Sequence, residues 1–240
     1  MSQIIREISE GVHAVETTIR PWFGFELPLR STVLSLETGG IAIVSPVGVD
    51  DALARRIEGL GRVEHLIAPN RLHYLHLRAA CTRWPEAKVH GVVGLEEKCQ
   101  GVRFDALLPD QLPDELVAIM IEGMPALSEC VLYHRRSRTL VVADLVFNVV
   151  GARGWFSALI LRLTGVHERL AQSRALRWMV KDRDAAAKSA RRIFQLEFDR
   201  VVMAHGAVVE HDARERLERA LGWMLNGREL ALPGVGEASS

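Results

Sequence analysis

The sequence predicts an α/β fold with a mixed β-sheet, and three observations support this prediction. Short runs of β-branched residues are bounded by turn residues, as in buried strands. Two pairs of these runs are separated by turns of hairpin length, and four longer segments have the periodicity of amphipathic helices. With 240 residues, of which 48% are hydrophobic, the chain has enough apolar surface for a substantial core.

Nine apolar runs predict strands. Gly39-Gly40 separates two of them and Arg136-Ser137 separates two others, so both spacers predict antiparallel hairpins. The predicted strands are Gly11–Glu16, Ser31–Glu37, Ile41–Ser45, Glu64–Ala68, Lys88–Val93, Val117–Glu122, Glu129–His134, Thr139–Ala143 and Arg200–Ala204.

Four segments predict helices, because apolar residues recur every three or four positions and charged residues fill the other face. Asp50 and Asp182 stand at the start of two of them, where we expect N-caps or first-turn acids. The predicted helices are Asp50–Leu60, His73–Trp84, Asp182–Phe198 and His211–Leu225.

We expect one domain over residues 1–226, with residues 145–182 as an inserted helical arm and residues 227–240 as a flexible tail. Two interpretations explain the arm's composition. In one, the arm packs on the core and exposes a basic face to solvent; in the other, it is a lid or a partner surface whose arginines face an anionic group. The Trp155 to Leu163 stretch also predicts a homodimer contact. The arm's glycines, large aromatics and arginines are Gly151, Gly154, Gly165, Trp155, Phe156, Trp178, Arg153, Arg162, Arg169, Arg174 and Arg177.

Charge and cysteine content limit the expected partners and compartment. Thirty basic residues balance thirty acidic ones, so no global field favours nucleic acid or an anionic membrane, although charge can be segregated locally. Three widely spaced cysteines predict no disulfide framework and favour a reducing cytoplasm. No apolar stretch reaches the roughly 20 residues of a membrane span, and the first residues lack a signal-peptide pattern.

Three common catalytic motifs are missing from the sequence. It contains no Gly-x-Gly-x-x-Gly after a strand, no phosphate loop ending in Gly-Lys-Ser/Thr, and no Gly-x-Ser-x-Gly elbow. Nucleotide binding of the usual kinds and serine-hydrolase chemistry therefore have no support in the sequence.

Two polar residues at predicted strand ends mark a candidate site. Asp144 and His205 each end a short β-branched run, and open α/β folds place their chemistry at the carboxyl ends of strands. A catalytic zinc ion needs about three imidazole or carboxylate ligands and one position for water. His73 and His76 lie three residues apart, so on a helix their rings would share one face and could share a cation. The candidate metal ligands are His73, His76, Asp144 and His205.

Each of these residues also has a structural explanation. A carboxylate at a strand end commonly serves as a cap, and the glycine after His205 permits a tight turn by itself. His73 and His76 would begin a helix with an apolar face, where histidines are commonly packing residues. Asn70 is most simply the N-cap of that helix. The remaining histidines have no partner spacing and receive no role: His13, His65, His90, His134, His167 and His211.

Taken in order, these segments resemble the metallo-β-lactamase fold superfamily and, within it, the DUF4336 family, whose function is unknown. The superfamily has a His-x-His-x-Asp-His loop, a later histidine, a bridging aspartate in a Gly-Asp-x-Leu-Phe-like segment, and a final His-Gly. Ala143–Phe147 is similar to the aspartate segment and Ala204–Gly206 to the final one, while Ala68–His73 and Phe198–Gly206 are similar to DUF4336. The resemblance, which covers most of the chain, implies a four-layer αββα sandwich of two mixed β-sheets with helices outside.

The chain departs from the superfamily's metal motif. Asn70, Leu72, Tyr74 and Leu75 stand where His, His, Asp and His belong, and residues 122–127 contain no histidine. Leucine offers no lone pair and a neutral amide is a poor zinc ligand, so a binuclear site of the usual kind is not expected. The resemblance implies one divalent metal, zinc or iron, whereas the lost ligands favour a chain that binds none.

Two functions are compatible with these residues. In the first, the protein is a hydrolase with a rearranged mononuclear metal site, in which a cation on His73, Asp144 and His205 activates water against an ester, amide or phosphoester in an anionic small molecule. In the second, it is a metal-free descendant that binds a ligand or a partner, or that uses Asn70, His73 and Asp144 as catalytic residues without a cation. The retained strand-end residues favour the first function, and the lost first motif favours the second.

Overall fold

The structure is a computed structural model that describes residues 4–22, 24–152 and 154–225. The described strands are β1 (Ile4–Ser9), β2 (Val12–Trp22), β3 (Phe25–Ser35), β4 (Ile41–Val44), β5 (Val63–Ile67), β6 (Lys88–Gly91), β7 (Ala106–Leu107), β8 (Leu116–Met120), β9 (Cys130–His134), β10 (Thr139–Val142) and β11 (Arg200–Met203). The described helices are α1 (Asp51–Glu58), α2 (Leu77–Arg83), α3 (Trp155–Thr164), α4 (Arg174–Met179), α5 (Arg183–Ile193), α6 (Ala213–Ala220) and α7 (Gly222–Leu225).

Two mixed β-sheets form the framework. A seven-stranded sheet has the order β1-β2-β3-β4-β5-β6-β7, antiparallel from β1 to β4 and parallel from β4 to β7. A four-stranded sheet has the order β11-β10-β9-β8, in which only the β10–β11 pair is parallel. The predicted mixed architecture is therefore confirmed.

The nine predicted strands are all present, and so are both predicted hairpins, between β3 and β4 and between β9 and β10. Sequence reasoning missed β1 and β7. It also ended the second strand at Glu16 and began the third at Ser31, whereas β2 continues to Trp22 and β3 begins at Phe25. β1 is an exposed edge strand in which Arg6 and Glu7 interrupt the apolar alternation, and β7 has only two residues. Such edges bury too little apolar surface to produce a periodic pattern.

The core lies on both sides of the four-stranded sheet. Along β9, Cys130 and Leu132 pack in a cluster with the seven-stranded sheet, α1 and α2. The alternate residues Val131 and Tyr133 pack in a second cluster with α5, α6 and α7. This alternation places the helices outside two facing sheets, so the four-layer αββα sandwich is confirmed.

The two predicted N-caps are confirmed. Asp50 accepts a hydrogen bond from the Leu53 N–H at 2.8 Å, and Asp182 accepts one from the Ala185 N–H at 3.0 Å. The last predicted helix is split into α6 and α7, and α5 ends before the predicted boundary.

The helix predicted to begin at His73 is wrong at its start. Residues 73–76 form a turn, and α2 begins only after them. Asn70 is not the N-cap of α2: its Oδ1 accepts the N–H groups of Leu72 and His73, each at 2.9 Å, and so closes the turn instead. His73 and His76 therefore do not share a helical face. His76 directly precedes α2, and its ring lies beside Gly48.

Residues 145–182 contain α3 and α4, and α3 packs against β3. Ser157 Oγ accepts a hydrogen bond from the Glu26 N–H at 3.0 Å, and Leu161 is buried in a small cluster with Phe25 and Val166. This segment therefore covers the start of β3. The predicted residue Arg153 and the predicted tail 227–240 lie outside the described residues. Within the described ranges, no helix has both the length and the apolar character needed to span a membrane.

Candidate metal centre

The register of two strands brings Asp144 and His205 together. β10 and β11 are adjacent and parallel, and their last paired residues are Val142 and Met203. Asp144 and His205 each follow two positions later, and both are buried. The prediction that two distant strand ends place these residues at one sheet edge is therefore correct.

His73 completes a group of three potential ligands. His73 Nε2 lies 3.2 Å from Asp144 Oδ2, and His205 Nε2 lies 3.3 Å from Asp144 Oδ1. One donor atom from each of the three residues lies within 4.8 Å of the other two. His76, the fourth predicted ligand, does not belong to this group as far as the described residues extend.

His205 is held in one orientation and one tautomer. Its Nδ1 lies 2.8 Å from the Pro28 carbonyl oxygen, which can only accept, so Nδ1 carries the proton. The lone pair of the neutral ring is then on Nε2, which faces Asp144. The Phe147 ring stacks on His205 with centroids 5.0 Å apart and planes 7° apart. A carbonyl that fixes one imidazole nitrogen while the other faces the site is the usual arrangement of a histidine ligand.

Asn70 lies beside Asp144 with its side-chain amide fully engaged. Its Nδ2 donates to Asp144 Oδ2 at 2.8 Å and to Glu129 Oε2 at 3.2 Å. Its Oδ1 accepts the two main-chain N–H groups that close the turn carrying His73. Both amide hydrogens are used, so Asn70 positions Asp144 and His73 and has no donor left for a substrate.

Glu129, to which sequence reasoning gave no role, organises the Asp144 turn. Its Oε1 accepts the N–H groups of Ala143 and Leu145 at 2.9 and 3.0 Å. Its Oε2 accepts the Asp144 N–H at 2.9 Å and the Asn70 amide at 3.2 Å. The available signal in the sequence was a glutamate directly before the apolar run Cys130–Tyr133, but the sequence does not identify its hydrogen-bond partners.

The site concentrates negative charge. Burial opposes ionisation of Asp144, but the imidazoles of His73 and His205 outweigh it and hold the pKa of the Asp144 carboxyl well below its usual range. Burial and then the Asp144 charge raise the pKa of Glu129, while the N–H groups of residues 143–145 lower it. The lowered pKa of Asp144 favours its ionised form, which attracts a cation or a protonated imidazole.

The three side chains are nearly closed off from solvent. Those of His73, Asp144 and His205 are 7%, 6% and 5% exposed. A cavity of about 760 Å³ lies beside the His205 segment, and its walls include Pro28 and Gly206 but none of the three side chains. That cavity is therefore separate from the candidate centre.

Comparison with known proteins gives structural matches only. No family model and no curated protein matches the chain. A metallo-β-lactamase, DIM-1 exposed to ceftazidime, is 12% identical with a TM-score of 0.67, covering 95% of this chain and 99% of that one. The metallo-β-lactamase from Pontibacter korlensis is 15% identical with a TM-score of 0.64, covering 94% of this chain and 100% of that one. The metallo-β-lactamase FIM-1 from Pseudomonas aeruginosa, in its mono-zinc form, is 11% identical with a TM-score of 0.62, covering 95% of this chain and 96% of that one.

Identities at this level carry information about the fold rather than the activity. The two facing mixed sheets with helices on both outer faces agree with the fold of these neighbours. The described chain therefore has the metallo-β-lactamase fold.

Proposed function

We propose that this protein is a hydrolase that uses one divalent metal ion held by His73, Asp144 and His205. The convergence of two imidazole nitrogens and one carboxylate at a sheet edge carries the proposal. This ligand set is the one with which catalytic zinc sites leave a position for water. When bound, the cation would lower the pKa of a water molecule toward neutrality and supply a nucleophile.

The donor-atom spacing supports a single ion. Tetrahedral zinc with bonds of about 2.0–2.1 Å has ligand atoms about 3.3 Å apart. Asp144 has this spacing with a different oxygen toward each histidine: Oδ2 lies 3.2 Å from His73 Nε2, and Oδ1 lies 3.3 Å from His205 Nε2. One ion shared by the three side chains would therefore be held by both carboxylate oxygens. The two distances are longer than the roughly 2.7–2.9 Å of a charge-assisted hydrogen bond, which favours shared ligation over a tight ion pair.

A second metal ion does not fit the residues present. The Asn70 amide is fully engaged, and Leu72 and Leu75 offer no lone pair where histidines stand in the superfamily motif. Met124 is buried in the loop that would supply the later histidine. The proposal is therefore restricted to a mononuclear centre.

The surrounding residues hold the ligands in place. The Pro28 carbonyl fixes the ring of His205, and Asn70 and Glu129 fix Asp144 from the opposite side. Near-complete burial limits bulk water around the reacting bond, which strengthens electrostatic interactions there. An ester, amide or phosphoester remains the proposed substrate class. We assign no substrate-orienting role to the arm's arginines.

The metal content of the purified full-length protein tests the proposal. Protein never exposed to chelator is expected to contain about one equivalent of divalent metal by elemental analysis. Asp144→Ala and His73→Ala should lose it, whereas His76→Ala, the matched control, should keep it. Less than about a tenth of an equivalent in the wild-type protein would overturn the proposal.

A metal-free function is the second candidate, because the same contacts satisfy Asp144 without a cation. Asn70 donates to Oδ2 at 2.8 Å, and the two imidazoles reach both carboxylate oxygens. In this alternative His73 and Asp144 act as a histidine–carboxylate pair, or the site binds a ligand without chemistry. Full activity or ligand binding after exhaustive chelation, with loss in His73→Ala, would favour it over the metal-dependent function.

We further propose that the chain belongs to the DUF4336 family and works in the cytoplasm. The segments Ala68–His73 and Phe198–Gly206 support the family, and three free cysteines at Cys81, Cys99 and Cys130 support a reducing compartment. Imaging of a tagged full-length protein tests the compartment.

A further inference from the structure

The helix α3 is apolar on both of its sides. Ser157 and Leu161 are buried against β3, as expected for a helix that packs on a sheet. Trp155, Leu159 and Leu163 recur every four residues on the opposite side and are 79%, 42% and 60% exposed. An exposed apolar stripe of this kind marks an interaction surface.

The neighbouring helix α4 extends this surface. Its Trp178 is 86% exposed. Arg174 Nη1, at the start of α4, donates to the Leu163 carbonyl at 3.1 Å and so connects α4 to the end of the α3 stripe. We call Trp155, Leu159, Leu163 and Trp178, together with the exposed arginines Arg162, Arg169 and Arg174, the arm surface.

The arm surface is basic although the whole chain is neutral. Between Gly154 and Lys181 the sequence has five basic residues and one acidic residue, Glu168, whereas the chain has thirty of each. Arg162 is exposed on the same side of α3 as the apolar stripe, and Arg169 donates to the Gly165 carbonyl at the end of the helix. In the described parts of the chain, no ion pair involves Arg162, Arg169, Arg174 or Arg177, the four arginines of the arm that the structure describes.

We propose that the arm surface docks on an anionic lipid bilayer. Exposed tryptophans beside leucines and arginines match the interface between headgroups and acyl chains, where the rings and aliphatic side chains enter and the guanidinium groups meet lipid phosphates. This peripheral contact needs no spanning helix. It also does not depend on the metal centre.

A second copy of the chain fits this surface less well. A twofold dimer through the arm would bring the same unpaired arginines of both copies to one interface, without acidic residues to neutralise them. Anionic lipids supply the missing negative charge. The charge of the surface therefore favours the bilayer over the homodimer expected from the sequence.

Vesicle co-sedimentation with the full-length protein tests the proposal. Binding is expected to vesicles of phosphatidylcholine with phosphatidylserine, to be much weaker with phosphatidylcholine alone, and to weaken with added salt. Arg162→Gln should reduce the partition coefficient about fivefold, and Trp155→Ser combined with Leu159→Ser at least about tenfold. The matched controls, Arg56→Gln on α1 and Leu107→Ser on β7, should bind like the wild type.

Circular dichroism and the midpoint of urea unfolding confirm that each variant is folded. Absence of binding to the anionic vesicles overturns the proposal, as does binding that the Trp155→Ser and Leu159→Ser pair leaves unchanged. A dimer in light scattering that this pair dissociates, in protein that ignores vesicles, would assign the surface to a second copy instead.

Discussion

Replacement of Glu129 by glutamine should destabilise the protein strongly although it changes a single atom. Each carboxylate oxygen accepts two N–H donors: Oε1 those of Ala143 and Leu145, and Oε2 those of Asp144 and Asn70. A glutamine keeps one oxygen and replaces the other by an NH₂ group. In either orientation of the amide, the NH₂ group faces two N–H donors, which then have no acceptor.

The expected loss of stability follows from the two N–H donors that are left without an acceptor. A buried donor left without an acceptor costs about 1–3 kcal/mol, so two cost roughly 2–6 kcal/mol. Removal of a negative charge next to Asp144 offsets part of this cost. We therefore expect Glu129→Gln to lower the free energy of unfolding by about 2–5 kcal/mol, a large part of the roughly 5–15 kcal/mol that holds a typical domain together.

Urea unfolding followed by circular dichroism measures this loss against a matched control. Glu115 is also buried, but its Oε1 accepts only the Glu37 N–H, at 2.8 Å, among the described side-chain contacts. A glutamine there can present its oxygen to that donor, so Glu115→Gln should cost less than about 1 kcal/mol. Equal losses in the two variants would show that Glu129 does not hold the Asp144 turn.

Three further predictions concern other parts of the molecule. Burial lowers the pKa of His90, which contacts His65, to about 4 from an unfolded value of 6.5. The free energy of unfolding measured with urea should therefore contain the full contribution of neutral His90 above about pH 6.5 and fall by up to ~3 kcal/mol toward pH 4, and a flat profile would contradict this. Gly206→Ala should cost about 2–5 kcal/mol in the same assay, because Gly206 has a φ of +104° and a Cβ there would overlap the Asn148 carbonyl oxygen; an unchanged midpoint would be the contrary result. Zinc at a hundred times its dissociation constant should stabilise the wild type by about 2.7 kcal/mol, and Asp144→Ala by none, in thermal unfolding; equal shifts would place the ion elsewhere.

The architecture was predictable because burial leaves a period in the sequence. The runs at Glu129–His134 and Thr139–Ala143 alternate between the two cores, and turn residues at Arg136-Ser137 mark their hairpin. Edge strands such as β1 and β7 could not be predicted in this way, because one side of each strand has no neighbouring strand to bury it. Element ends set by a single side chain, such as the turn that Asn70 closes, also leave no periodic signal.

The candidate site was only half predictable. Asp144 and His205 could be paired because both end strands, and chain topology brings strand ends together. The pairing of His73 with His76 failed because it assumed a helix, whereas residues 73–76 form a turn that Asn70 closes and α2 begins after them. Glu129 was missed because a buried carboxylate is recognised by its donors, and three of those are main-chain N–H groups that every residue carries.

The charge balance of the site separates the two candidate functions. If the imidazoles of His73 and His205 are neutral, the carboxylates of Glu129 and Asp144 leave negative charge in a buried region. A cation, or protons on the two imidazoles, must balance this charge. If protonated imidazoles are the partners, Asp144→Asn breaks a buried ion pair and should cost about 3–5 kcal/mol in urea unfolding of metal-depleted protein. If the site is built for a cation, metal-depleted wild type already has excess charge, and the neutral asparagine should leave stability unchanged or higher, since its oxygen can still accept from Asn70. An unchanged or higher stability supports the metal-dependent function, and a loss of several kcal/mol supports the metal-free site.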